Sequence, residues 1–299
     1  MESRDKNILV IIVTYNAMKW AKECFDSLLH SSIPVDVFIV DNQSSDGTCE
    51  FIKQHYPQFM LYESDVNLKF GRGNNVGLKY ALQHHYPYVY LLNQDAWIYP
   101  DTLSKLVSLS EQNQEYGVLS PLQLQRGGET FNGVFHAWCC NERQCKNILA
   151  DALLGHTKSL YETGFVMAAH WLITSKCLKS VGGFSPSFEH GGEDNNYAER
   201  VRFQGYKVGI VPSSLAIHDS ETLNQDESIK GNYINLVQQI SCPQGVNWKQ
   251  IIRTMLTTVH FVFIYKSFTP LKNIARFFKH KSEYDRNRVL SQQGVAFLS

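Results

Sequence analysis

The chain has 299 residues, 43% of them apolar, which is enough for one large domain or a domain plus an extension. Lys+Arg and Asp+Glu both number 28, so the net charge of zero excludes a protein drawn to nucleic acid by its overall charge. The opening MESRDKN has no signal-peptide pattern and no run of eighteen apolar residues occurs, so a cytoplasmic protein without a spanning helix is expected.

ILVIIVTYN (8–16) is a short apolar run rich in β-branched residues and reads as a buried parallel strand. Residues 19–31 follow with helical periodicity, Trp20, Cys24, Phe25, Leu28 and Leu29 sharing a face. VDVFIVDN (35–42) is the next strand, GTCEFIKQHY the next helix, and FMLYES a third strand. GNNVGLKYALQHHY (73–86) reads as a helix entered through glycines, and YVYLLNQD (88–95) as a fourth strand. This alternation means an α/β domain with a mainly parallel sheet, whose strand ends share one edge. Ligands bind at that edge in open α/β sheets. It carries Thr14, Tyr15 and Asn16, then Asp41 and Asn42, then Asn93 and Asp95.

Residues 120–147 have no clear period and read as a long excursion or lid. GFVMAAHWLITSKCL returns as a buried strand and a helix, and YKVGIVP as a further strand. Between them, FEHGGEDNNYAERVRF (188–203) sets Glu193 and Asp194 at a helix start, where carboxylates serve either as caps or as a base. The seven cysteines are irregularly spaced; Cys139, Cys140 and Cys145 lack paired metal-ligand spacing and read as reduced thiols.

Several stretches carry ligand chemistry. Asp41 in VDNQSSDGT can accept from a base N–H or a ribose hydroxyl, while Asp46 caps the next helix. NLKFGRGNNVG (67–77) offers backbone N–H groups that suit phosphate, with Asn67, Arg72 and Asn75 nearby. Asp95 in LLNQDAW can hold Mg²⁺ or Mn²⁺ beside a phosphate, and His218 can supply a second ligand. His170 and Trp171 either flank a sugar acceptor or pack in the core.

Taken in order, VTYN, VDNQSSDGT, NLKFGRGNNVG, LLNQDA, VGGFSPSF and GGEDNNYAERVRFQGYKV resemble the family 2 inverting glycosyltransferases of GT-A fold. The likeness covers about residues 7–220 and points to the single-addition, rhamnosyltransferase-like branch that builds bacterial surface polysaccharide. It implies a Rossmann-like GT-A domain over residues 1–222, with a nucleotide-binding half to about 115, an acceptor half from about 116, and a C-terminal helical, basic extension over 223–299. It also implies that Thr14, Tyr15, Asn16, Asp41, Asn42, Asn67, Arg72, Asn75, Asn93 and Asp95 hold a nucleotide-diphosphate sugar. Asp95 and His218 would bind a divalent metal, Mn²⁺ or Mg²⁺.

By the same resemblance Asp194 is the general base and Glu193 lies at the acceptor, a glycan or lipid-linked glycan. Two family acids are replaced, by Asn93 and by Asn196; the latter leaves Arg200 without its expected partner. A catalytically impaired relative that binds nucleotide sugar or glycan is therefore the alternative. The QxxRW motif of processive members is absent, so one sugar is added per acceptor.

Residues 251–281 interleave Phe261, Phe263, Phe268 and Phe278 with Lys266, Lys272, Arg276 and Lys279. Such a segment lies among anionic headgroups, packs on its own domain, or forms a homodimer contact.

Overall fold

The structure is a computed structural model describing residues 7–220 and 227–298, apart from the side chains of residues 227, 228 and 265. The first part of the chain runs β1 (Ile8–Thr14), α1 (Ala21–Leu29), β2 (Asp36–Asp41), α2 (Thr48–His55), β3 (Met60–Glu63), α3 (Lys69–Gln83), β4 (Tyr88–Asn93), β5 (Ala96–Ile98) and α4 (Thr102–Gln112). It continues through β6 (Tyr116–Leu124), α5 (Gly133–Cys139), α6 (Ile148–Leu153), β7 (Tyr161–Thr163), β8 (His170–Thr174), α7 (Ser175–Val181), α8 (Glu193–Phe203) and β9 (Lys207–His218). Three helices follow, α9 (Glu227–Ser241), α10 (Trp248–Tyr265) and α11 (Thr269–Leu290).

One sheet has the order β3-β2-β1-β4-β8-β6-β9-β5, with β7 on the flank of β9. The strands from β3 to β4 are parallel, β8 is antiparallel to both neighbours, and β6 and β9 are parallel. Both faces are buried, which is why β1 is apolar at successive positions. Its Leu9 and Ile11 join one core layer, while Ile8, Val10 and Ile12 join the other. A third cluster, built on Leu236, Ile240, Ile251 and Phe277, joins α9, α10 and α11 to Phe188 ahead of α8.

Two local readings need correction. The helix read from residue 73 begins earlier: α3 starts at Lys69, so Gly71 lies inside it together with Gly73 and Gly77. Helix and sheet approach too closely there for side chains. A Cβ on Gly73 would stand 2.9 Å from Val13, and one on Gly77 2.6 Å from Ile11. Gly77→Ala should therefore destabilise by about 1–3 kcal/mol through overpacking. That outweighs the roughly 1 kcal/mol gained in helix propensity, and the urea unfolding midpoint would report it.

The last long strand also does not stop at Pro212. The pairing of β6 with β9 shifts register after Pro121 and Val211, so Pro212 sits where no ladder bond is required. The strand then resumes and carries the chain to His218.

Candidate active site

The ends of β1, β2 and β4 form a crevice of about 410 Å³ lined by Thr14, Tyr15, Asn42, Asn67, Asn93 and Asp95. Its polar floor is held by hydrogen bonds. The Asp41 carboxylate accepts from Thr14 Oγ1 (2.8 Å), Ser44 N (2.8 Å) and Ser44 Oγ (2.6 Å). Asn42 accepts from Leu68 N and donates to Lys69 O, tying β2 to the start of α3.

Asn16 takes a left-handed turn at φ 50°, donates its N–H to Ser44 Oγ and accepts from Ser45 N. Asp41 thus stands buried behind the crevice wall and holds Thr14, which lines it, whereas Asn16 is exposed beside the crevice and shapes the turn through Ser44 and Ser45. The Gln94 amide grips the Tyr15 backbone through both N–H (2.7 Å) and C=O (3.2 Å), which leaves the tyrosine ring exposed at the mouth. Lys69, Phe70, Gln94 and His190 also line this crevice and were missed. Lys69 and Phe70 belong to the quoted glycine-rich stretch, but nothing in the sequence sets His190 apart.

Asp95 and His218 meet because β5 and β9 pair antiparallel with Ala96 opposite His218. Nε2 of His218 lies 3.7 Å from Asp95 Oδ1, too long for a good hydrogen bond. Nδ1 is buried without a partner among the described residues. Burial lowers the His218 pKa, with the Asp95 carboxylate opposing, so the ring is neutral and able to ligate.

This donor set, one carboxylate oxygen and one neutral imidazole with an orphaned buried nitrogen, fits a divalent ion that also takes oxygens from a phosphate. Among the described residues no cluster of three or more His, Cys, Asp or Glu side chains forms a protein-only metal cage. Asn132, also missed, caps α5 through Phe135 N and donates to the His218 carbonyl at 2.9 Å.

Asp194 sits in the first turn of α8, after Gly191 and Gly192 at φ 95° and 86°. Side chains at either glycine would strike Ile234 of α9. No side chain bonds the helix start from the N-cap position, but Asp194 Oδ1 accepts from the first-turn N–H of Asn195 (2.8 Å). The carboxyl also lines a cavity of about 500 Å³ that includes Trp138, Met167, Lys230 and Asn235. Burial, and next the Glu193 carboxylate beside it, push its pKa up to about 7. Glu193 is itself buried and raised by desolvation, and its Oε2 has no partner among the described residues. Trp138 lies in the stretch read as a lid; residues 120–124 of that stretch end strand β6, and α5 carries the tryptophan to the cavity.

Several expected site residues are elsewhere. Trp171 is wholly buried between Phe184 and Tyr197, with ring centroids 6.2 and 5.5 Å away. His170 is equally buried: Nε2 donates to Ile217 O (2.9 Å), and Nδ1 accepts from Tyr90 O–H (2.8 Å). Burial depresses the His170 pKa to about 3. Neither side chain reaches a cavity, because alternate residues of a central strand face two closed core layers. His170 stands behind the site, its ring 6.4 Å from that of His218.

Asn75 is committed to the Phe184 backbone, donating to its C=O (2.9 Å) and accepting from its N–H (2.7 Å). Arg72 lines a separate cavity beyond His190. Arg200, expected opposite position 196, has no carboxylate partner among the described residues. Its buried guanidinium donates to the carbonyls of Val181, Gly183 and Ser291 and lies 4.9 Å from the Phe297 ring. Close by, Gly183 N donates to Ala296 O.

Comparisons with known proteins bear on this arrangement. The family model described as "Glycosyl transferase family 2" matches residues 9–169. The N-acetylglucosaminyl-diphospho-decaprenol L-rhamnosyltransferase of Mycobacterium tuberculosis is 24% identical over 238 residues, 70% of this chain and 75% of that protein. Among solved structures, the mannosyltransferase PcManGT from Pyrobaculum calidifontis, in complex with GDP-Man and Mn²⁺, matches with TM-score 0.55 at 16% identity. That match covers 97% of this chain and 74% of the other. TarS of S. aureus matches with TM-score 0.57 at 14% identity, over 96% of this chain and 55% of the other.

Proposed function

The chain belongs to glycosyl transferase family 2 and is a glycosyltransferase of GT-A fold, and on that premise we propose that it moves one sugar, with inversion and with a divalent metal, from a nucleotide-diphosphate sugar to a hydroxyl of a glycan or lipid-linked glycan. The observation that carries this reading is the adjacency of two sites along the segment 190–194. His190 lines the crevice holding Asp95, whereas Gly191, Gly192 and Asp194 line the neighbouring cavity.

In this reading Thr14, Tyr15, Asn42 and Asn67 receive the nucleoside end of the donor, with Asn16 and Asp41 holding them in place. Asp95 and His218 hold the metal, which neutralises charge on the departing diphosphate. Asp194 takes the proton of the acceptor hydroxyl as it attacks the anomeric carbon. A base and a leaving group on opposite sides of the sugar give a single displacement and an inverted product.

The relative from Mycobacterium tuberculosis is named for an acceptor carrying a lipid diphosphate, which favours a lipid-linked acceptor and a deoxyhexose donor here. The division into a catalytic domain to about residue 222 and a helical extension belongs to the same proposal.

A donor screen by thermal shift tests it. One nucleotide-diphosphate sugar should raise the melting point, and more so with Mn²⁺. At a hundredfold excess over Kd, binding contributes about 2.7 kcal/mol of stability. Asp95→Ala should lose the metal-dependent part of the shift, and chelator should abolish transfer. A metal-dependent shift that survives Asp95→Ala would move the metal elsewhere.

We assign α10 and the turn into α11 to an anionic membrane surface. Ile252, Leu256, Val259 and Phe263 form one exposed stripe at helical spacing; Phe263 is 75% exposed and Phe268, just beyond, 73%. Exposed Arg253, Lys266, Lys272 and Lys279 accompany them. No helix among the described residues is long and apolar enough to cross a membrane, so contact would be peripheral. The full chain should float with anionic vesicles at low salt, and Phe263→Asp with Phe268→Asp should abolish flotation. Wild-type protein that stays with the soluble fraction would refute the assignment, and concentration-dependent dimerisation would give the face to a second copy.

A further inference from the structure

A cavity of about 390 Å³ lies between the segment 186–191, α9 and α11. Arg72 of α3, Lys230 and Tyr233 of α9, and Arg276, His280 and Tyr284 of α11 line it, with Glu189 and Glu283. Both acids are engaged. Arg276 donates to Glu189 (2.6 Å) and stacks over the Tyr233 ring at 5.0 Å, and His280 Nδ1 lies 3.1 Å from Glu283. Arg72 and Lys230 form no salt bridge among the described residues. The cations Arg72, Lys230 and Arg276 thus face the carboxylates Glu189 and Glu283, an excess of positive charge drawn from three helices and able to meet an anion. The Tyr233 and Tyr284 hydroxyls, 2.7 Å apart, add a polar wall.

The position of this cavity decides what the anion is. His190 is shared with the donor crevice, whereas Gly191, Lys230 and Ile234 are shared with the cavity of Asp194. The space therefore adjoins the acceptor hydroxyl's place without containing Asp95 or His218. A donor diphosphate held by those two residues does not occupy it.

We propose that this cavity binds a phosphate or diphosphate carried by the acceptor itself, next to the sugar whose hydroxyl Asp194 deprotonates. The inference rests on the reading of Asp194 as base. Arg72 supplies a planar fork suited to phosphate oxygens, and Lys230 a point charge at the boundary with the acceptor cavity. Arg72, expected from the sequence to meet the donor, thus serves the other substrate.

Two measurements on the full chain test this. The first titrates inorganic pyrophosphate calorimetrically in the presence of chelator, so that no metal draws it to the donor crevice. One site is expected, weakened about tenfold in each of Arg72→Gln and Lys230→Gln, as for the loss of one charge-assisted contact, and unchanged in Asp95→Ala. No binding, binding indifferent to both substitutions, or binding lost in Asp95→Ala would overturn the proposal.

The second compares an alkyl diphosphate glycoside with a plain alkyl glycoside of the same sugar. Arg72→Gln should raise KM for the first by about tenfold and leave kcat, donor affinity and the KM for the second unmoved. Equal effects on both acceptors would overturn it, as would pyrophosphate that binds without competing with the diphosphate acceptor, since the site would then serve free phosphate. If no acceptor is glycosylated at all, the base assignment fails, while the titration still reports on the anion site.

Discussion

Asp194→Asn is expected to cut sugar transfer by about a hundredfold or more while donor affinity stays within about twofold. The amide preserves shape but cannot take a proton. Asp194 Oδ1 accepts from Asn195 N in the first turn of α8, and the amide oxygen of the Asn variant can keep that bond. In the wild type, burial and the neighbouring Glu193 push the carboxyl up to about 7. The reactive form is the unprotonated one, so the rate should climb as pH passes about 7 and level off above it. Glu193→Gln removes the second cause and should move that rising limb to lower pH.

Stability should run the other way. A carboxyl whose folded pKa lies above its unfolded value favours the fold at low pH, and that contribution is lost as pH rises through about 7. Asp194→Asn should therefore melt higher than wild type at pH 8. A folded Asn variant that no longer binds donor would remove Asp194 from the role of base.

Trp171→Ala is expected to cost about 3–5 kcal/mol of stability, read from the urea midpoint, with acceptor KM unchanged. The indole is wholly buried, stacked on Phe184 and against Tyr197, and its truncation opens a cavity between β8 and α8. Its N–H has no partner among the described residues, so Trp171→Phe should be far milder, within about 1.5 kcal/mol. A raised acceptor KM with an unmoved midpoint would restore the tryptophan to the acceptor site.

The first half of the fold was legible because parallel strands buried on both faces are written as unbroken apolar runs. The strand read over residues 8–16 is β1, Ile8–Thr14, and that read over 88–95 is β4, Tyr88–Asn93. The start of α8 was legible for another reason: two left-handed glycines precede it. What failed depends on distance in the folded chain. The helix read from Gly73 starts at Lys69, and only the nearness of Val13 and Ile11 explains why glycines stand at 73 and 77 within it. Trp171 and His170 share a strand whose two faces are closed by elements far away in sequence. The crevice residues at strand ends could be read from topology, whereas His190 could not, because the loop that carries it has no period. The helical tail was visible as amphipathic, and its split between Phe277 in a core and Phe263 outside it came only with the packing of α9.

The grip of Arg200 on residue 291 bears on when the protein becomes competent during its own synthesis. Ser291 follows Asp194 by 97 positions, and at about 5–20 residues per second a ribosome needs roughly 5–20 s to add that length. Throughout that interval the guanidinium lacks one of its three carbonyl partners and the cover of Phe297, so the helix that carries Asp194 is not yet locked. The strands that shape the donor crevice have all been made by His218, well before. On the function proposed above, a nascent chain would bind donor before it could transfer it, and turnover would wait for the late-made segment to dock.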